Sequence, residues 1–294
     1  MDKIVGFCDQ YVQITYNNQA AKSIVDFLCT DLLTFQDAEK DTVPRTSCAV
    51  KVSENEQFFS LHRNGKQLYQ GNCRRELAYA LINEIIFQCL DENNSGLALH
   101  AGAVQVGQNG ILLPGNSGAG KSTFVAWLTA CGCRYLTDEL VVLAGAKYRI
   151  CPFTRPLTLR SASAKALAPY VRFKDTEVLA GDSGFMVPHR LLNPDFVATS
   201  PPLSLILFPC FRADAPPKLT KLSPGLGCSR LLECYVNARN IPGHGISELA
   251  RLTRTVPIME LRYGSFTGLG ALLADRLPDF FWNISPKTSP ERVL

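Results

Sequence analysis

Residues 115 to 122 read Gly-Asn-Ser-Gly-Ala-Gly-Lys-Ser, filling every position of the pattern GxxxxGK[ST]. In such a turn, successive backbone N–H groups converge on phosphate oxygens, and the helix that follows adds its positive N-terminal end. The nucleotide-contacting run is therefore Gly115, Asn116, Ser117, Gly118, Ala119, Gly120, Lys121, Ser122 and Thr123. Lys121 would set a point charge against the outer phosphates of a nucleoside triphosphate, and the Ser122 hydroxyl would ligate Mg²⁺. One helix further on, Asp138 and Glu139 stand side by side. One carboxylate at that place can hold the metal and the other can accept a proton, because adjacent like charges drive one pKa upward. The metal ligands expected are Ser122, Asp138 and Glu139. A solvated acidic turn is the bland reading of the pair, and a core residue is the bland reading of His100, which lies in the apolar stretch Leu97 to Val106.

Those groups need a particular set of elements to hold them. The run Gly110-Ile111-Leu112-Leu113-Pro114 supplies a strand before the loop, and Thr123 to Leu128 continues after it with helical spacing. Leu97 to Val106 reads as a strand that reaches the loop strand through a tight turn at Gln108-Asn109-Gly110. Arg134 to Thr137 reads as a short strand delivering the acids, and a parallel neighbour of the loop strand is the expected position. Cys151 to Arg160 fits one proline-bounded strand whose Arg155 or Arg160 would face the transferring phosphate. Leu203 to Pro209 and Ile258 to Tyr263 read as buried strands.

Histidine strand, glycine loop, one helix, then paired acids: in residues 97 to 143 this order resembles HPr kinase/phosphorylase and the HPr-kinase-related proteins, which share a phosphate-loop fold with ATP-dependent phosphoenolpyruvate carboxykinases. The resemblance implies an α/β fold with that P-loop core sheet. It also implies His100, Lys121, Asp138 and Glu139 as catalytic residues, with ATP and Mg²⁺ as cofactors. The acceptor it implies is a serine or threonine hydroxyl on a protein or a ribosomally made peptide. Members of that family form ring oligomers, so a homo-oligomer is expected. Glu139 departs from the pattern, which has a second aspartate there, and resembles the related proteins more than the carbohydrate regulator. A Pro-Gly-Arg-Asn stretch, tied in the bifunctional enzymes to dephosphorylation, has only the loose echo Pro242-Gly243-His244-Gly245. Alternatives are a nucleotide-gated binding module that transfers no phosphate, a small carboxykinase, and a small-molecule hydroxyl kinase.

The first ninety or so residues have a different texture. Strands are expected at Tyr11 to Tyr16, Ala49 to Val52 and Phe58 to Leu61, with helices over Ala21 to Leu33 and Arg74 to Asp91. Asn64-Gly65 is a hairpin signal. Residues 1–93 thus read as an α+β accessory region and 94–294 as the kinase domain. Gly181 to Pro202 reads as a proline-punctuated loop that orders when a partner docks.

Composition fits a cytoplasmic enzyme. The 294 residues are 46% hydrophobic and 19% charged. The net charge of +4 is mild and spread out, which gives no argument for nucleic acid. No run reaches the roughly eighteen consecutive apolar residues of a membrane span, and no signal peptide is read at the N-terminus. Eleven cysteines occur without a CxxC pair, and Cys131-Gly132-Cys133 is poorly spaced for a tetrahedral site, so reduced and mostly buried thiols are expected.

Overall fold

The computed structural model describes residues 2–8, 10–32, 46–53, 55–116, 118–171 and 174–281. The fold is mixed α/β, built on three sheets. The N-terminal sheet runs β1 (Asp2–Phe7), β2 (Gln10–Tyr16), β3 (Thr46–Val52), β4 (Phe59–Arg63) and β5 (Lys66–Gly71), in that spatial order. Only the β2–β3 pair is parallel. Helix α1 (Gln19–Cys29) makes the crossover between them. Its N-cap is Asn18, whose side chain accepts from the Ala21 N–H. The expected hairpin forms at Asn64-Gly65, where both residues take positive φ, 48° and 84°, as a two-residue turn between right-twisted strands requires. Helix α2 (Arg74–Leu90) closes this layer.

The second sheet holds β6 (Gly96–Val106), β7 (Asn109–Pro114), β8 (Arg134–Thr137), β9 (Leu140–Ala144) and β10 (Arg149–Pro152). It is completed by β14 (Leu203–Phe211), β15 (Lys218–Lys221) and β16 (Ile258–Tyr263). Its order is β10-β9-β6-β7-β14-β16-β15, with β8 also on β6. Strands β7, β14 and β16 run parallel, and their ends at Pro114, Phe211 and Tyr263 share one edge. A small third sheet joins β11 (Leu157–Leu159), β12 (Leu179–Gly181) and β13 (Gly184–Val187).

Side chains alternate across the large sheet and feed two cores. Ile111, Leu113, Leu205, Leu207 and Leu261 pack under helix α3 (Lys121–Ala130). Leu112, Ile206, Phe208 and Ile258 pack on the opposite face with Leu231 of α5 (Pro224–Leu232) and with Leu249 and Leu252 of α6 (Ile246–Thr255). Burial on both faces explains the unbroken apolar runs of β7 and β14. Gly102 lets α3 lie close, since a Cβ there would come 2.5 Å from a methyl of Val125. The N-terminal layer is continuous with this body: Ala98, Leu140, Val142, Phe153 and Met186 belong to the same apolar cluster as α1, α2 and β1 to β4.

Several expectations need correction. The acid-bearing strand β8 is not beside the loop strand β7; β6 lies between them, pairing antiparallel with both. A two-residue turn can only return β7 against β6, and this fills the side on which β8 was expected. That turn sits at Gly107-Gln108, earlier than expected. Residues 151–160 are divided between β10 and β11, which belong to different sheets. Part of the proline-punctuated stretch is ordered as β13, paired on both sides. Helix α1 stops at Cys29, and Leu33 lies outside the described residues, as does Ser117 of the loop.

Candidate functional site

Where β7 leaves the sheet at Pro114, the chain turns through the glycine loop into α3. Gly120 caps that helix in the left-handed region at φ 90°, and a Cβ on it would meet the Tyr263 hydroxyl at 2.9 Å and Phe211 Cβ at 3.1 Å. Only glycine fits there. Lys121 is buried, and its ammonium donates to the Gly115 carbonyl at 2.6 Å and the Asn116 carbonyl at 3.3 Å. Burial pulls the Lys121 pKa below its ordinary value, against the opposing charge of Glu139 and Asp138. Ser122 is half-buried in the first turn of α3, and Thr123 shares a 2.8 Å hydroxyl contact with Ser163. Ala119 accepts from the Phe211 N–H at 3.3 Å.

The acids occupy the break between β8 and β9, opposite the middle of β6. Ala101 N–H donates to the Glu139 carbonyl at 3.1 Å, and Thr137 Oγ1 accepts from the Glu139 N–H at 3.2 Å, so the turn is fixed by one backbone bond and one side-chain hydroxyl. The two carboxylates then part company. Asp138 is fully enclosed: Arg155 Nη2 approaches Oδ1 at 3.1 Å, the Tyr135 hydroxyl reaches Oδ1 at 3.0 Å, and Thr158 N–H donates to Oδ2 at 3.2 Å. Glu139 is 32% exposed, with Oε1 at 3.1 Å from His100 Nδ1 and Oε2 at 2.8 Å from Arg155 Nη2. Burial raises the Asp138 pKa more than Arg155 lowers it, with Glu139 adding to the rise. Burial also pushes on Glu139, but the His100 hydrogen bond and the charges of Arg155, His100 and Lys121 outweigh it and hold the carboxyl at about 2.

The structure therefore brings His100, Lys121, Asp138 and Glu139 to one end of the large sheet, as the residue types imply, and divides the acids by environment. A proton acceptor or metal ligand needs an oxygen open to the site; Asp138 offers none in this arrangement, while Glu139 does. Arg155, expected to face phosphate, is wholly buried between the acids. Arg160 is the cation felt by Lys121. Hard oxygen donors at Ser122 and Glu139 fit Mg²⁺. Among the described residues, no three His, Cys, Asp or Glu side chains are gathered to hold a metal alone, so phosphate oxygens would have to complete the sphere.

Sequence reasoning passed over a second strip beside the loop. Beyond Pro114 the edge of β6 is taken by residues 234–236: His100 N–H donates to the Cys234 carbonyl at 2.7 Å, Val236 N–H to the Ala98 carbonyl at 3.0 Å, and Leu99 bridges Tyr235. This places Glu233 Oε2 at 2.8 Å from Asn116 Nδ2 and turns the Cys234 thiol to the Gly115 N–H. No motif marks such a strip, since its position comes from sheet pairing across the chain. Pro242 to Gly245 forms a tight turn leading into α6, where a Cβ on Gly245 would run into Tyr235 and Leu97. None of the eleven cysteines is joined in a disulfide, and burial lifts Cys131 to about 12. No described helix is long and apolar enough to cross a membrane.

No protein-family profile matches the chain, and no curated protein sequence matches it. Among solved structures, it is similar to the Hpr(Ser) kinase/phosphatase from Coxiella burnetii, with 12% identity and a TM-score of 0.31, over 62% of this chain and 94% of that one.

Proposed function

We propose that this chain is an ATP- and Mg²⁺-dependent kinase that moves the γ-phosphoryl group to a hydroxyl, a serine of a protein or of a ribosomally made peptide. One observation carries the reading: the loop lysine, Lys121, sits within the electrostatic reach of an anionic, half-open Glu139 that is itself hydrogen-bonded to His100. The order of motifs in residues 97 to 143 and the resemblance they carry support the choice of acceptor.

Phosphoryl transfer needs placement and charge neutralisation more than covalent help. The loop N–H groups and Lys121 would bind the phosphates, with Lys121 exchanging the Gly115 carbonyl for phosphate oxygens. Bound Mg²⁺, held by Ser122 and Glu139, would neutralise charge on the outer phosphates. Glu139, kept anionic by the charges of Arg155 and Lys121, fixes the His100 ring through Nδ1 and leaves Nε2 to accept the proton of the attacking hydroxyl. As that proton moves to His100, the acceptor oxygen bonds to the γ-phosphorus and the bond to the leaving ADP oxygen breaks. Asp138 acts through Arg155, which it shares with Glu139, and is a positioning residue.

The enclosure of Asp138 and the self-bonding of Lys121 favour a second reading, a nucleotide-gated binding module. Incubating the protein with Mg²⁺, γ-labelled ATP and a peptide fraction from its own source decides between them by mass spectrometry. Label on a serine or threonine that disappears with Lys121→Ala and falls sharply with His100→Gln supports the kinase. ATP bound without transferred label removes it in favour of the binding module.

A further inference from the structure

Phe211 is 45% exposed, although residues 205–209 before it in β14 are all buried. A single exposed apolar side chain is ordinary on a protein surface; what sets Phe211 apart is its place against the glycine loop. Its backbone is tied to the glycine loop through the Ala119 carbonyl, and its Cβ stands 3.1 Å from where a side chain on Gly120 would begin. Tyr263 meets the ring edge-on, with centroids 5.7 Å apart and planes at 70°, which sets its orientation. Strand order gives the direction. His100 and Glu139 belong to β6 and to the β8–β9 break, on one side of β7, whereas Phe211 ends β14 on the other. Outer phosphates directed to Glu139 therefore put the nucleoside over the ends of β14 and β16, in the crevice at the carboxyl edge of the parallel strands.

We propose that Phe211 is the stacking platform for the purine base of the nucleotide held by the glycine loop, a subsite that rests on reading the loop as a nucleotide site. A ring face recognises any base through its π-surface and favours the larger purines, with no hydrogen-bond code. Affinity should therefore be similar for ATP and GTP and lower for UTP.

Calorimetric titration of the full chain with Mg-ATP and with Mg-tripolyphosphate, which has no base, tests this. Phe211→Ala should weaken ATP about tenfold and leave tripolyphosphate unchanged, whereas Lys121→Ala should weaken both. Phe211→Trp should keep ATP affinity, and its emission should be quenched by ATP but not by tripolyphosphate. An Ala variant that binds ATP as the native chain does, or loses both ligands equally, overturns the platform and leaves the loop reading standing. A native chain that binds neither ligand overturns both.

Discussion

The glycine loop and the acid–arginine cluster lie at the same end of one sheet and are built from opposite materials. The loop presents backbone: its geometry comes from Gly120 in the left-handed region, and its one ionised side chain, Lys121, folds back on loop carbonyls. The cluster presents side chains drawn from β6, from the β8–β9 break and from the segment before β11, and it buries Arg155 with Asp138 beyond solvent. Backbone donors tolerate an empty site because water reaches them. A buried charge pair has no such relief, so removing one member of the cluster should cost more folding stability than removing a side chain of the loop.

The largest expected effect follows from that contrast. Arg155→Met removes the only cation that contacts Asp138 among the described residues while leaving its carboxylate enclosed, and breaking a buried pair in this way costs about 3–5 kcal/mol. Urea unfolding should show that loss, with Asp138→Asn less damaging because Glu139 still holds Arg155. A midpoint unchanged in Arg155→Met would mean that the cluster is open to water and the contrast false.

Behind the cluster, His189 stacks on Tyr135 at 4.8 Å and 14°, and its Nε2 lies 2.8 Å from Asp31. Burial drives its pKa down to about 4 from 6.5, although Asp31 pulls it upward. Below pH 6.5 the unfolded chain takes a proton there and the native chain does not, so stability falls as pH drops from 6.5 towards 4. The shift corresponds to about 3 kcal/mol lost across that window. Urea midpoints at pH 7.5 and 5.0 should differ in the native chain and converge in His189→Gln, which can still donate to Asp31 but does not titrate. A variant with the same acid sensitivity as the native chain would assign it to other groups.

Lys121→Ala moves the test to the loop. Losing one charge-assisted contact should weaken Mg-ATP binding about thirtyfold, roughly 2 kcal/mol, with an unfolding midpoint shifted by less than about 1 kcal/mol without nucleotide. A stability loss as large as that of Arg155→Met would show that the loop is as much a folding element as the cluster.

The same contrast explains what could be read from the chain. The loop was legible because phosphate binding by such a turn would need particular residues at consecutive positions, and β7, α3 and the Asn64-Gly65 turn follow from local pattern alone. Asp138, Glu139 and His100 were legible as a set. Their division into an enclosed and an open acid was not, because Arg155, Tyr135 and Thr158 reach Asp138 only through tertiary packing. The misplaced β8 has a related cause: hydrophobic period shows that a strand exists but not which neighbour it pairs with. Phe211 lies two residues past the apolar run Leu203 to Pro209 that the sequence marks as a strand, in no motif, and only its exposure separates it from Phe208.

The smallest expected effect concerns the strip over the loop. Glu233 places a carboxylate on Asn116, at the spot where the loop would receive phosphate, and an anion there opposes polyphosphate binding while holding the empty loop in shape. Both partners are exposed, so the hydrogen bond contributes little to stability and the repulsion is screened by salt. Glu233→Gln keeps an acceptor for Asn116 and removes the charge, so Mg-ATP should bind about two- to fivefold more tightly at low ionic strength. The gain should vanish near 0.5 M salt, where the screening length is roughly 4 Å. A gain that is the same at high salt would rule out charge as its cause; a conformational latch, in which Glu233 holds the loop closed through its hydrogen bond, would leave Glu233→Gln like the native chain. Glu233→Ala separates the two, since it removes bond and charge together and should then exceed Glu233→Gln only if the latch is real.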